Sequence, residues 1–141
     1  MATVRLWTDD DVRADPAVAA VFADIRATRG TDVNNIWRGL ANDAALLART
    51  WASVKAVMAT PGALDPLTKE LIYLAVSTTN GCGYCVHSHT AAARAKGMTD
   101  RQHAELMAVI GLAAATNQLV TAMQIPVDDA FRVDRPPPDA R

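Results

Sequence analysis

Apolar residues recur at three- and four-residue intervals along most of the chain, and the interruptions fall at residues that start or stop helices. Asp15-Pro16 offers an N-cap followed by proline at the first helical position. Val18, Val21, Phe22 and Ile25 then form a stripe that ends at Gly30. After the polar stretch Thr31 to Asn35, Ile36, Trp37 and Leu40 make a short apolar patch. Asn42-Asp43 then opens a longer helix to about Met58, in which Leu47, Trp51, Val54 and Met58 should face the core. Thr60-Pro61-Gly62 breaks it, and Asp65-Pro66 repeats the earlier opening. In the helix that follows, Leu67, Leu71, Leu74 and Thr78 lie on one stripe with Glu70 beside it. Ile72, Tyr73 and Val76 make much of the remaining circumference apolar, as expected of a helix that is central or packed against another subunit.

Asn80-Gly81 reads as a turn. A second, alanine-rich helix runs from about Cys82 to Lys96 and stops at Gly97. Thr99-x-x-Gln102 matches a capping box opening a last helix, with Leu106, Val109, Ile110, Ala113 and Val120 on its apolar face and Pro126 at its end. Residues 1–14 carry little pattern. The reading is an all-α protein with one helical domain over residues 1–125 and an irregular or disordered tail over 126–141, where Pro136, Pro137 and Pro138 fall.

Composition sharpens this picture. The 141 residues are 50% hydrophobic but only 5% aromatic, so the bulk comes from Ala, Val, Leu and Met, which suits helices better than a sheet sandwich. A formal charge of −1 without a basic cluster argues against nucleic acid as a partner. No stretch of uninterrupted apolar residues reaches membrane-spanning length, and Asp9, Asp10 and Asp11 do not resemble a signal peptide, so a cytoplasmic protein with no membrane partner is expected. In a reducing cytosol, two cysteines spaced Cys-x-x-Cys point to redox or metal chemistry.

The candidate chemistry lies at the hairpin. A helix rises about 1.5 Å per residue, so residues equally far from a turn near Asn80 sit at similar heights, which levels Glu70 with His89. Cys82 and Cys85 are three apart, and Cys85 and His89 four apart, so the three share one helix face. Unpaired N–H groups at the helix start favour a thiolate, His89 can accept the thiol proton, and Glu70 can orient His89. A thiolate so prepared can attack a peroxide O–O bond and become a sulfenic acid, which the other cysteine converts to a disulfide. Blander roles exist for each residue. His89 could be a satisfied core histidine, and Glu70 a structural ion-pair partner of Arg94 or Lys96. His87 points elsewhere, and Trp37 and Trp51 belong to the core or an interface. Cys82, Cys85, His89 and Glu70 could instead ligate zinc, although no second Cys/His pair exists. A non-redox decarboxylase- or isomerase-like enzyme and a non-catalytic oligomeric module are further alternatives.

The spacing of Glu70, Cys82, Cys85 and His89 resembles that of the AhpD-like alkylhydroperoxidase group of the carboxymuconolactone decarboxylase superfamily. The likeness runs from about Asn34 to Asn117 and includes Leu64-Asp65-Pro66 and Gly97-Met98-Thr99. It implies an AhpD-like helical bundle whose central antiparallel hairpin carries the Cys-x-x-Cys site, assembled as a homotrimer or homohexamer. It also implies a peroxidase of antioxidant function acting on hydrogen peroxide or organic hydroperoxides. In that reading Cys85 is peroxidatic, Cys82 is resolving, and Glu70 and His89 form the proton relay. No resident cofactor is expected, because an external dithiol, lipoyl or thioredoxin-like donor supplies the electrons. Tyr84 departs from the pattern: archetypal peroxidases of the group have a histidine between the cysteines. A phenol is not a base near neutral pH, so the relay here would be shorter.

Overall fold

A computed structural model describes residues 1–132, which form seven α-helices and, among the described residues, no strand. The proline-rich end of the expected tail lies outside the described residues. Contacts divide the chain into two compact units, Met1–Lys69 and the part from Glu70 onward, and each is described by itself.

The first unit is built on α1 (Asp9–Ala14), α2 (Pro16–Arg29), α3 (Asn35–Leu40) and α4 (Ala44–Val54). α1 does not show in the apolar pattern, because it is only six residues long. Its signal is a capping box in which Asp11 takes the place usually held by Glu or Gln: Thr8 caps the Asp11 amide while the Asp11 carboxylate accepts from the Thr8 N–H. α2 begins and ends as its sequence dictates, with Asp15 accepting from the amides of Ala17 and Val18, and Gly30 left-handed at φ 66°. Asp43 caps α4, which continues into one π-helical turn over Lys55–Ala59. Val18, Phe22, Ile25, Leu47 and Trp51 interlock as the core, and Trp37 meets Trp51 edge-on with ring centroids 5.3 Å apart. At the rim Asp24 accepts from Trp51 Nε1 and Lys55 Nζ, both at 2.7 Å.

The second unit takes up most of α5 (Pro66–Thr79), with α6 (Gly83–Ala95) and α7 (Asp100–Met123). The buried stripe of α5 is Glu70, Leu74 and Ser77, not the Leu67, Leu71, Leu74 and Thr78 stripe read from hydrophobicity. A carboxylate and a hydroxyl sit inside, while Ile72, Tyr73 and Val76 face outward. The reversal makes physical sense only if the buried carboxylate is fully partnered, as it proves to be.

The turn after α5 is a Schellman motif. Gly81 is left-handed at φ 68°, its N–H donates to Thr78 O, and the N–H of Cys82 donates to Ser77 O. The same motif closes α6: Gly97 is at φ 94°, its N–H donates to Arg94 O, and the N–H of Met98 donates to Ala93 O. Met98 and Ala93 are both buried, supplying the apolar contact that accompanies such an end. α7 opens with the expected Thr99–Gln102 capping box, yet none of its residues is buried. Val109, Leu112, Leu119, Val120 and Met123 lie open. Among the described residues α7 is long and apolar enough, by length and composition alone, to cross a membrane. The contrary expectation rested on uninterrupted apolar runs, and Thr116, Asn117 and Gln118 interrupt this one.

Candidate active site

The hairpin turn places the first cysteine at a junction of two backbone motifs. Cys82 is the last residue of the Schellman turn and also the N-cap of α6. Cys85 is therefore the third residue of α6, and its N–H donates to Cys82 Sγ at 3.3 Å. The sulfur occupies the place that a serine or aspartate oxygen takes in an ordinary N-cap. Cys82 and Cys85 form a disulfide, with Cα atoms 5.3 Å apart. Both residues are partly exposed, so an exogenous thiol can reach this end of α6.

One turn further on, His89 projects from the same face of α6 as Cys85. Its Nδ1 lies 2.7 Å from Glu70 Oε2, as expected for residues level with each other across the turn. Glu70 is only 5% exposed, and Lys96 Nζ donates to its other oxygen, Oε1, at 2.8 Å. Burial pushes the Glu70 carboxyl up, but the hydrogen bonds and charges of His89 and Lys96 outweigh burial and hold it below the usual glutamate value. Glu70 is thus an anion that can only accept. Nδ1 of His89 must carry a proton, and in the neutral ring Nε2 is left as the basic nitrogen.

Two neighbours of this pair have no catalytic role in the sequence reading. Lys96 and Arg94 both suit a structural pairing with Glu70 by position; Lys96 makes that contact, whereas Arg94 pairs with Asp100 at 2.7 Å. Tyr73 gives no functional signal, yet its ring stacks on His89 with centroids 3.7 Å apart and planes 20° from parallel. Its position three residues after Glu70, on the neighbouring face of α5, is the sequence feature that could have pointed to it. Tyr84 and His87 are exposed. Among the described residues no three His, Cys, Asp or Glu side chains gather in a way that could hold a metal ion.

The second unit thus carries a Cys-x-x-Cys disulfide at a helix start and, one turn along the same helix, a partly buried imidazole paired with a buried carboxylate. Residues 45–128 match the carboxymuconolactone decarboxylase family. The crystal structure of the alkylhydroperoxidase AhpD core from Rhodospirillum rubrum is 73% identical in sequence and superposes with a TM-score of 0.92, covering 95% of this chain and 99% of that one. The chain belongs to this family, within its AhpD-like alkylhydroperoxidase group. It is also similar to alkyl hydroperoxide reductases AhpD from Maricaulis maris and Solibacter usitatus. The first is 39% identical over 48% of this chain and 36% of the relative, the second 38% identical over 45% and 34%. The chain thus spans little more than a third of the length of these curated relatives.

Proposed function

We propose that the protein is a thiol-dependent peroxidase that reduces hydrogen peroxide or an organic hydroperoxide through Cys82 and Cys85. The observation that carries this reading is the Cys82–Cys85 disulfide one helical turn from a histidine whose free nitrogen is fixed by a buried carboxylate. Cys85 is the attacking sulfur, because His89 lies one turn away on its own helix face. His89 Nε2 takes the Cys85 thiol proton. The thiolate attacks the peroxide oxygen that bears hydrogen, an S–O bond forms as the O–O bond breaks, and the departing alkoxide or hydroxide takes the proton from the imidazolium. The sulfur is oxidised to sulfenic acid, and the peroxide is reduced to an alcohol, or to water when it is hydrogen peroxide.

Cys82, whose sulfur sits at the N-cap, then attacks the Cys85 sulfur. The S–O bond breaks, the disulfide forms, and water leaves with the proton of the Cys82 thiol. An external dithiol, of lipoyl or thioredoxin-like type, returns two electrons and two protons and is itself oxidised to a disulfide. Such donors are available in a cytoplasmic setting. The names of the AhpD relatives support the peroxide as oxidant. Tyr84 leaves His89 as the single imidazole of the relay. The open apolar face of α7 supports a homo-oligomer, trimeric or hexameric, in which second copies cover Leu112, Leu119 and Met123.

Single-cysteine variants test the assignment. Cys85→Ser is expected to abolish peroxide consumption, whereas Cys82→Ser is expected to accumulate a sulfenic acid that a dimedone-type reagent traps after one turnover. Normal turnover by Cys85→Ser would end the assignment.

A further inference from the structure

Glu70 has two carboxylate oxygens, and each has its own partner: Oε2 meets His89 Nδ1, and Oε1 accepts from Lys96 Nζ. Both partners come from α6, at its middle and at its C-cap. The Lys96 backbone is fixed by the Gly97 Schellman turn, so the ammonium is delivered from an anchored position rather than a frayed end. The Tyr73 phenol covers a face of the His89 ring. The ionisable groups facing Glu70 are therefore His89 and Lys96 from α6, with Tyr73 from its own helix lying against His89.

We propose that Lys96 is a positioning residue for the thiol chemistry: by occupying Oε1 it keeps Glu70 charged and aims Oε2 at His89, so that the imidazole presents Nε2 to Cys85. Without that ammonium, Glu70 is a buried carboxylate with one partner, and its protonation becomes easier. A protonated Glu70 can itself donate to Nδ1, which moves the ring proton to Nε2 and removes the base. Lys96 thus acts on the sulfur through two intermediaries, and Tyr73 limits the ring to one plane while it does so. In this arrangement Glu70 is the anionic member of the relay with His89. The inference rests on the peroxidase reading only for its consequence in turnover; the electrostatic part stands by itself.

The chain has two glutamates, Glu70 and Glu105, so carboxyl carbon-13 signals of labelled glutamate in the reduced protein can be followed individually with pH. In Lys96→Met, and equally in Lys96→Gln, which retains a donor without charge, the Glu70 titration is expected to move up by about one pH unit or more. Lys96→Arg is expected to remain near wild type. In the same variants peroxide turnover is expected to fall about tenfold in kcat with KM little changed, and to recover in Lys96→Arg. A folded Lys96→Met or Lys96→Gln protein whose Glu70 signal titrates with the wild-type one overturns the proposal. The carbon-13 titration uses no peroxide, so wild-type protein that fails to consume peroxide would refute the proposed function and leave the Lys96 result standing.

Discussion

Replacing Glu70 with glutamine removes one charge and almost no volume from the pair proposed to prepare Cys85. The amide oxygen of the substituted side chain can still accept from His89 Nδ1, so the ring retains a neutral hydrogen bond in place of a charge-assisted one. The proposed reaction passes through a state in which His89 holds an extra proton, and a carboxylate stabilises that state far better than an amide does. A hydrogen bond to a charged group is worth about 1.5–3 kcal/mol against about 0.5–1.5 kcal/mol for a neutral one, and the difference of about 1–1.5 kcal/mol, at about 1.4 kcal/mol per decade, is about a 5- to 12-fold loss in rate. The effect on stability is smaller. Lys96 loses its partner, but its side chain is already 36% exposed and rehydrates readily. The net cost in folding is expected to be about 1 kcal/mol. The assay is stopped-flow oxidation of the reduced protein by peroxide near neutral pH, alongside urea unfolding of the same sample. A rate within twofold of wild type, with the fold intact, would refute the claim that the carboxylate works through His89 and leave it a structural role only.

Three further outcomes follow from the same geometry. Gly81 is left-handed and a Cβ there would meet nothing within 4 Å, so Gly81→Ala is expected to cost about 1–2 kcal/mol from backbone strain alone, with Gly81→Asn milder, as read by urea midpoints. Because the folded Glu70 carboxyl is held below its ordinary value of 4.5, its contribution is fully present above that value and fades as pH falls through the folded one. Wild type should therefore lose its advantage over Glu70→Gln only on acidification below about 4.5, and a constant difference down to low pH would contradict the linkage. Leu112 and Leu119 are 67% and 59% exposed on one stripe of α7, so glutamate at both is expected to weaken the proposed self-association at least about tenfold in sedimentation velocity.

The elements with a backbone reason are legible in the sequence. Asp15-Pro16, Asp43, Gly81, Gly97 and Thr99 with Gln102 each act through a local hydrogen bond or a left-handed residue, and each helix end lies where those residues put it. Counting residues from the turn is enough to bring Glu70 level with His89, because the rise of a helix is fixed. Other features are hidden for physical reasons. The buried stripe of α5 runs through Glu70 and Ser77, which no hydrophobic pattern marks, and the burial of Glu70 depends on His89 and Lys96, distant in sequence. The short α1 is held by one capping box and carries too few residues to show a period. Lys96 and Tyr73 join the site through side-chain reach and ring orientation, which spacing alone does not fix. The open face of α7 reads like an ordinary core-facing stripe, because periodicity marks which face wants cover and not what supplies it.

The most direct measurement titrates reduced protein with one equivalent of an organic hydroperoxide, counting free thiols and weighing the intact chain. The account predicts that two thiols disappear for each peroxide consumed, that the mass falls by the two thiol hydrogens, and that a dithiol restores both. Peroxide that leaves the thiol count unchanged, or that adds oxygen to the chain without joining Cys82 to Cys85, would contradict it.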